Sequence, residues 1–349
     1  MPQLCPELTT KLDFLKQLKQ QFDLELFSLP QTGKTEDLAL VREAKTKLEQ
    51  PLQDLQNKIW LETLEIGQES LKAQYEFQKN LLLNSGLLKT LATGELGIEA
   101  IDKQEYPIPT LEQIEEMMLE KRKFLETKIP QGFIKLIIVP FGLPLDSLIK
   151  AYGNTLFKHH QQGKLLDIQN RPLELREVSI WDGTGYAKAD EKGDLVYFPQ
   201  EYSKTNHQGK TKQELLPTQA WQVLLLEDLP SLPDIGQGKI IAHRQQPEAN
   251  QSPNDYLKQL QTDLQYKGEQ GLTLESWLVY ALTHLAQTDQ VIDNWEDLGK
   301  TCYLLNSYFK SGYVPRASFY LGRALVSLNR INLDYPDSGC SGRFAVNIL

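Results

Sequence analysis

Residues 133–139, FIKLIIV, constrain this chain more than any other stretch. They form a strand-length run rich in β-branched residues, stopped by Pro140 and Gly142. The next apolar residues, Leu145, Leu148, Ile149, Tyr152 and Leu156, recur at helical spacing. A strand, a tight turn and an amphipathic helix are therefore predicted in succession. A chain with such a unit needs a sheet to pair the strand and a layer to cover it.

Upstream the pattern is helical. Leu12, Leu15, Leu18 and Phe22 repeat every three or four residues, as do Leu48, Leu52, Leu55 and Ile59, with Leu38 and Val41 in the same register. A helical hairpin or a short coiled coil is expected, able to join copies of the chain. Pro51 lacks an amide donor and crowds the preceding turn, so a new helix is expected to start there. YPIPT at 106–110 interrupts the chain, and Thr110 with Gln113 forms a capping box ahead of Leu111, Ile114, Met118 and Leu125. The domains are accordingly drawn as a helical segment over 1–105 and a globular domain over 106–349.

Residues 173–230 alternate short apolar runs with Gly, Asp and Pro, as strands and turns do. Residues 233–255 are polar and read as a surface loop. Over 273–286, Leu274, Trp277, Leu278, Ala281, Leu282 and Leu285 mark one face of a second strong helix. Strands return after Gly299. Together these segments predict an α+β fold.

The chain carries a net charge of −9, which argues against binding a nucleic-acid backbone. Its cysteines, Cys5, Cys302 and Cys340, fit neither a disulfide framework nor a zinc site. Its apolar runs are too short to span a membrane, and the N-terminus lacks the pattern of a secretory signal, so a cytoplasmic location is expected. TGKT at 32–35 has Ser28 where a phosphate loop needs its first glycine. The adjacent His159 and His160 point apart on a helix, and His284 lies among core positions. None of these gives a catalytic constellation, so no enzyme, cofactor or metal is expected.

The last forty residues use a different vocabulary. From Ser311 to Leu349 there is no Lys, Glu or Gln, whereas Arg316, Arg323, Arg330 and Arg343 all fall there. Asn, Ser, Asp, Tyr and Gly occupy the remaining polar positions. Large Tyr and Arg side chains beside small adaptable polar ones make a mixture suited to binding. Ala324, Val326, Leu328, Ile331, Leu333, Phe344 and Val346 are expected to anchor the backbone beneath them.

GFIKLIIVPFGLPLDSLI, EANQSPNDYLKQLQTD, GLTLESWLVYALTHLAQTDQVIDNW, SGYVPRASF and GRFAV appear in an order that resembles the variable proteins of bacterial diversity-generating retroelements. The resemblance covers much of residues 131–349. It implies a C-type-lectin-like fold, the fold shared with formylglycine-generating enzymes, behind an N-terminal helical segment. It also implies a 3′ gene end rewritten from a template copied with errors at adenines, which scatters asparagine codons into Tyr, Ser, Asp, Gly and Cys. The variable tract would span 312–346. The exposed ligand-contacting set expected from it is Ser318, Tyr320, Gly322, Ser327, Asn329, Arg330, Asn332, Asp334, Tyr335, Asp337, Ser338, Gly339 and Ser341. The partner would be a protein or another macromolecule. An enzyme or nucleotide-dependent regulator on the same fold is the alternative. The calcium-ligand clusters of sugar-binding lectins are absent, and Cys302 and Cys340 stand too far apart in sequence for the paired cysteines of the related enzymes. The closing strand RFAVNIL is expected to pair with FIKLIIV.

Overall fold

The computed structural model describes residues 6–32, 35–66, 69–176, 179–183, 185–296 and 299–349. The chain divides into two compact units, Met1–Leu71 and Lys72–Leu349. Gly33 and Lys34 of the TGKT stretch lie outside the described residues.

In the first unit, helices α1 (Pro6–Thr32) and α2 (Thr35–Thr63) form a hairpin. Lys45 Nζ lies 2.6 Å from Asp23 Oδ1, an ion pair between the two helices. Pro51 does not begin a helix but sits inside α2. A proline there costs about 3 kcal/mol. Its neighbours Leu48, Leu52 and Leu55 are all buried, which at about 1.5–3 kcal/mol each outweighs the missing hydrogen bond.

The second unit is α+β, with several sheets and helices. Its first helix is α3 (Leu71–Asn84), and a three-stranded sheet over residues 89–107 follows. The boundary drawn at 105/106 therefore falls inside this unit. The reason is a hydrogen-bonded seam between α3 and β1 (Phe133–Val139), an edge strand of a four-stranded sheet. Gln74 Oε1 accepts from the Leu136 amide at 2.8 Å, Gln74 Nε2 donates to the Ile134 carbonyl, and Gln78 Oε1 accepts from the Ile138 amide. Two glutamines thus occupy backbone groups that an open sheet edge would leave unpaired.

Helix α4 (Leu145–Gln161) follows β1 and buries Leu145, Leu148, Tyr152 and Leu156. Strand β2 (Ile180–Asp182) belongs to a second, eight-stranded sheet. Strand β3 (Gln222–Glu227) pairs with β1, and β4 (Glu269–Gly271) lies at the opposite edge of the four-stranded sheet. The closing strand does not pair with β1: β3 lies between them. All six residues of β3 are buried, so it takes the interior place, with partners on both edges.

Helix α5 (Leu274–Thr288) is buried throughout Leu274–Leu285, not on one face alone. Its polar positions reach partners inside the core. Glu275 Oε1 lies 2.9 Å from Lys212 Nζ, and Thr283 Oγ1 accepts from Gln78 Nε2 at 2.9 Å. Residues 233–255 are not simply a surface loop. They carry Arg244 into the core, where its guanidinium meets Glu269 at 2.7 Å and Glu227 at 3.2 Å. A buried cation needs such partners, and two carboxylates supply them. Among the described residues no helix is long and apolar enough to cross a membrane.

Candidate functional site

The site grows from the register of the eight-stranded sheet. Strands β5 (Asn294–Trp295), β6 (Thr301–Tyr303), β7 (Tyr313–Tyr320), β8 (Leu325–Asn332) and β9 (Cys340–Gly342) belong to it, and β10 (Phe344–Asn347) then joins the other sheet. β7 and β8 form an antiparallel hairpin in which Arg316 faces Asn329, Ser318 faces Ser327 and Tyr320 faces Leu325. Side chains alternate across a strand, so residues 316, 318 and 320 share one face with 327 and 329. Ala317, Phe319, Val326 and Leu328 take the other face, and all four are buried.

Flanking strands extend that face. β2 runs parallel to β8 with Trp181 beside Ser327, and β5 runs parallel to β7 with Trp295 beside Tyr320. Cys302 pairs with Ala317, which brings Thr301 alongside Ser318 one step on. The result is a concavity of about 230 Å³ lined by Trp181, Trp295, Thr301, Arg316, Ser318, Tyr320, Arg323, Ser327 and Asn329.

Its aromatic walls are ordered by their quadrupoles. The Trp295 and Tyr320 rings meet edge to face with centroids 4.5 Å apart. The Arg323 guanidinium lies over Tyr320 at 5.3 Å and Trp181 at 5.8 Å, and among the described residues no carboxylate stands within ion-pair distance of it. Arg316 is held from behind: its Nη1 donates to Asp337 Oδ2 at 3.2 Å and to Cys340 Sγ at 3.3 Å. Burial pushes the Cys340 thiol up to about 12, so it stays a neutral group beside that cation.

The expected contact set divides by position. Ser318, Tyr320, Ser327 and Asn329 line the concavity. Ser318 is only 3% exposed, a correction to its place among the exposed residues, because Thr301 and Ser327 crowd it from both neighbouring strands. Gly322 sits at the rim, where its amide donates to Glu296 Oε2 at 3.0 Å. Arg330 and Asn332 are exposed, yet they fall on the opposite face of β8, and Arg330 lies over the Tyr313 ring at 4.6 Å. Asp334, Tyr335 and Ser338 are exposed in the segment leading to β9; Asn254 Nδ2 donates to Asp334 Oδ1 at 2.6 Å. Asp337 is half-buried behind Arg316, and Gly339 packs beside the Trp295 indole.

Ser341 is fully buried, which corrects its assignment as an exposed contact. Its hydroxyl takes a hydrogen bond from Tyr256 at 3.2 Å, and β9 is covered by that ring. Ala324 is half-buried in a left-handed turn at φ 50° and anchors nothing in the core; Val326, Leu328, Phe344 and Val346 are buried as expected.

Trp181, Trp295 and Thr301, and the particular role of Arg316 and Arg323, lie outside the contact set expected from the sequence. The local signal for the arginines was present: Arg316 shares strand parity with Ser318 and Tyr320. No local signal places Trp181, more than a hundred residues upstream, beside Ser327. His159 and His160 end α4, where His159 Nδ1 contacts the Thr155 carbonyl and His160 Nε2 meets Glu174, both away from the concavity. His284 is buried in α5, and desolvation lowers it to about 4. Among the described residues no group of three or more His, Cys, Asp or Glu is placed to hold a metal ion. Comparisons with family models, curated proteins and solved structures found no match to this chain.

Proposed function

We propose that this chain is a non-enzymatic ligand-binding protein with a C-type-lectin-like domain, whose C-terminal tract is diversified by retroelement mutagenesis. One observation carries the reading. Six of the nine residues lining the concavity, Arg316, Ser318, Tyr320, Arg323, Ser327 and Asn329, belong to the compositionally biased tract. Their strand neighbours Ala317, Phe319, Val326 and Leu328 hold the hairpin to the core. Alternation separates recognition from stability, so the lining can change while the buried face keeps the fold. A surface that varies by mutation needs this separation.

The chemistry of the walls supports binding over catalysis. The lining carries two guanidiniums, hydroxyls, an amide and three aromatic rings, with neither a carboxylate nor an imidazole to move protons. Tyr, Trp and Arg are the side chains that dominate binding energy at protein interfaces. Self-association through the N-terminal hairpin belongs to the same proposal. Phe14, Leu24, Phe27 and Leu40 are exposed there, and joining copies would multiply weak single-site affinity.

The decisive test is the DNA downstream of the gene. A near-copy of the 3′ end differing chiefly at adenines, beside a reverse transcriptase, is the expected result. A gene with neither overturns diversification. For assembly, sedimentation should show a smaller mass class after removal of residues 1–71 than the loss of that segment alone explains. An unchanged stoichiometry would exclude the hairpin as the joining element.

A further inference from the structure

We propose that the concavity of this chain binds an acidic side chain presented by a protein partner, its carboxylate on Arg316 and Arg323 and its methylenes on the aromatic walls. The inference rests on reading this surface as a binding site and names the chemistry it selects.

Charge points to an anion. The molecule is acidic overall, at −9, yet among the described residues the charged side chains in the lining are Arg316 and Arg323. Nearby carboxylates of the described residues already accept hydrogen bonds. Asp337 receives Arg316 and the Gly339 amide, Glu296 receives the Gly322 amide, and Asp182 receives the Tyr186 amide. Arg316 uses Nη1 on Asp337 and Cys340, and among the described residues its Nε and Nη2 have no protein acceptor. The Arg323 side chain donates to no protein acceptor among them either, while its stacking on Tyr320 and Trp181 fixes its plane. Planar guanidiniums with free N–H edges match a carboxylate, and holding them in advance lowers the entropy lost on binding.

Size points to a single side chain. About 230 Å³ lies below the range of roughly 300–1,000 Å³ for a site that encloses a whole small molecule. It suits one side chain projected from a larger partner. Around it the exposed Gly322 and Ser338 offer further contact surface to such a partner. The Trp181, Trp295 and Tyr320 rings then cover the aliphatic stem of the entering residue and exclude water from the ion pair, which strengthens it.

The test uses the full chain and a fluorescein-labelled octapeptide alternating glutamate with glycine, read by anisotropy, beside the same peptide carrying glutamine. The acidic peptide should bind at least tenfold more tightly, and raising salt should weaken it. General electrostatics predicts the reverse preference, because the protein repels anions as a whole. Arg323→Gln, at an exposed position, should abolish the discrimination, Trp181→Ala should weaken both peptides, and Arg122→Gln should change neither. Circular dichroism confirms that each variant is folded.

Equal affinity for the two peptides, or a discrimination that survives Arg323→Gln, overturns the proposal. So does preferential competition by glucuronate over the acidic peptide, since the carboxylate would then come from a sugar acid. If discrimination is absent but the downstream template repeat is present, the acidic-ligand inference fails and the diversified-surface reading stands. If discrimination is present without any repeat or reverse transcriptase, the acidic ligand stands and diversification falls.

Discussion

Helix α5 and the β7–β8 hairpin are both anchored in the second unit, yet they divide their side chains differently. Every residue of α5 from Leu274 to Leu285 is buried, polar ones included. Trp277 donates its indole N–H to Asp293 at 2.8 Å, and Asp293 holds Arg343 in a two-point ion pair. The hairpin instead buries Ala317, Phe319, Val326 and Leu328 and turns Arg316, Tyr320, Ser327 and Asn329 to the concavity. A strand has two faces and can give each a different task. A helix enclosed on all sides cannot, so each of its positions is fixed by packing. The difference teaches where this chain can tolerate change.

The sharpest way to break the comparison is to attack the helix and its polar anchor. Trp277→Ala should cost about 3–5 kcal/mol, measured by denaturant unfolding. Arg343→Met leaves the Asp293 carboxylate buried and uncompensated, and should cost a similar 3–5 kcal/mol. A loss under about 1 kcal/mol in either variant would mean that α5 is not the rigid half of the pair.

A pH titration probes the same helix without mutating it. Burial lowers His284 from 6.5 to about 4, against the opposing influence of Asp228, with Arg343 and Lys135 adding to the depression. Its neutral form is therefore the folded form. Above pH 6.5 the contribution to stability is fully present, and it declines as the pH falls towards 4 because the unfolded chain takes up the proton first. The loss attributable to this residue should approach about 3 kcal/mol at the acid end. His284→Gln should flatten that part of the profile; an unchanged slope would remove His284 as its cause.

The hairpin should respond by face. Leu328→Ala ought to cost about 2–5 kcal/mol, as expected for a large-to-small change in a core. Ser327→Ala, its neighbour in sequence but on the concave face, should stay within about 1 kcal/mol. The smallest effects belong to the exposed Asn332 and Tyr335, whose alanine variants should shift stability by about half a kcal/mol or less. Thermal unfolding of all four variants sharpens the contrast. Comparable losses on both faces would show that the lining is structural.

Much of this architecture was legible because it is local. The β-branched run at 133–139, the Thr110 capping box and the spacing of Leu145, Leu148, Tyr152 and Leu156 each specify their own conformation, and each is present. Pro51 misled because a local penalty of about 3 kcal/mol was outweighed by leucines buried against another helix. Arg244 misled similarly: a polar composition looks solvated until two distant carboxylates, Glu227 and Glu269, are seen to surround it.

The sequence by itself determined most of the helices and strands, the two-fold alternation of the C-terminal tract and the unusual residues offered along it. Only the tertiary structure decided which of those residues converge. Parity places Arg316, Ser318 and Tyr320 on one face, but parity alone cannot say that Trp181 and Trp295 arrive from separate strands to wall them in. Nor can it say that Ser341 turns under Tyr256, or that β3 takes the place beside β1 that the closing strand was expected to fill. Pairing partners are chosen by the whole sheet, through which edges remain open and which strands are buried on both faces. That choice depends on contacts between residues far apart in the chain, and no short stretch of sequence contains it.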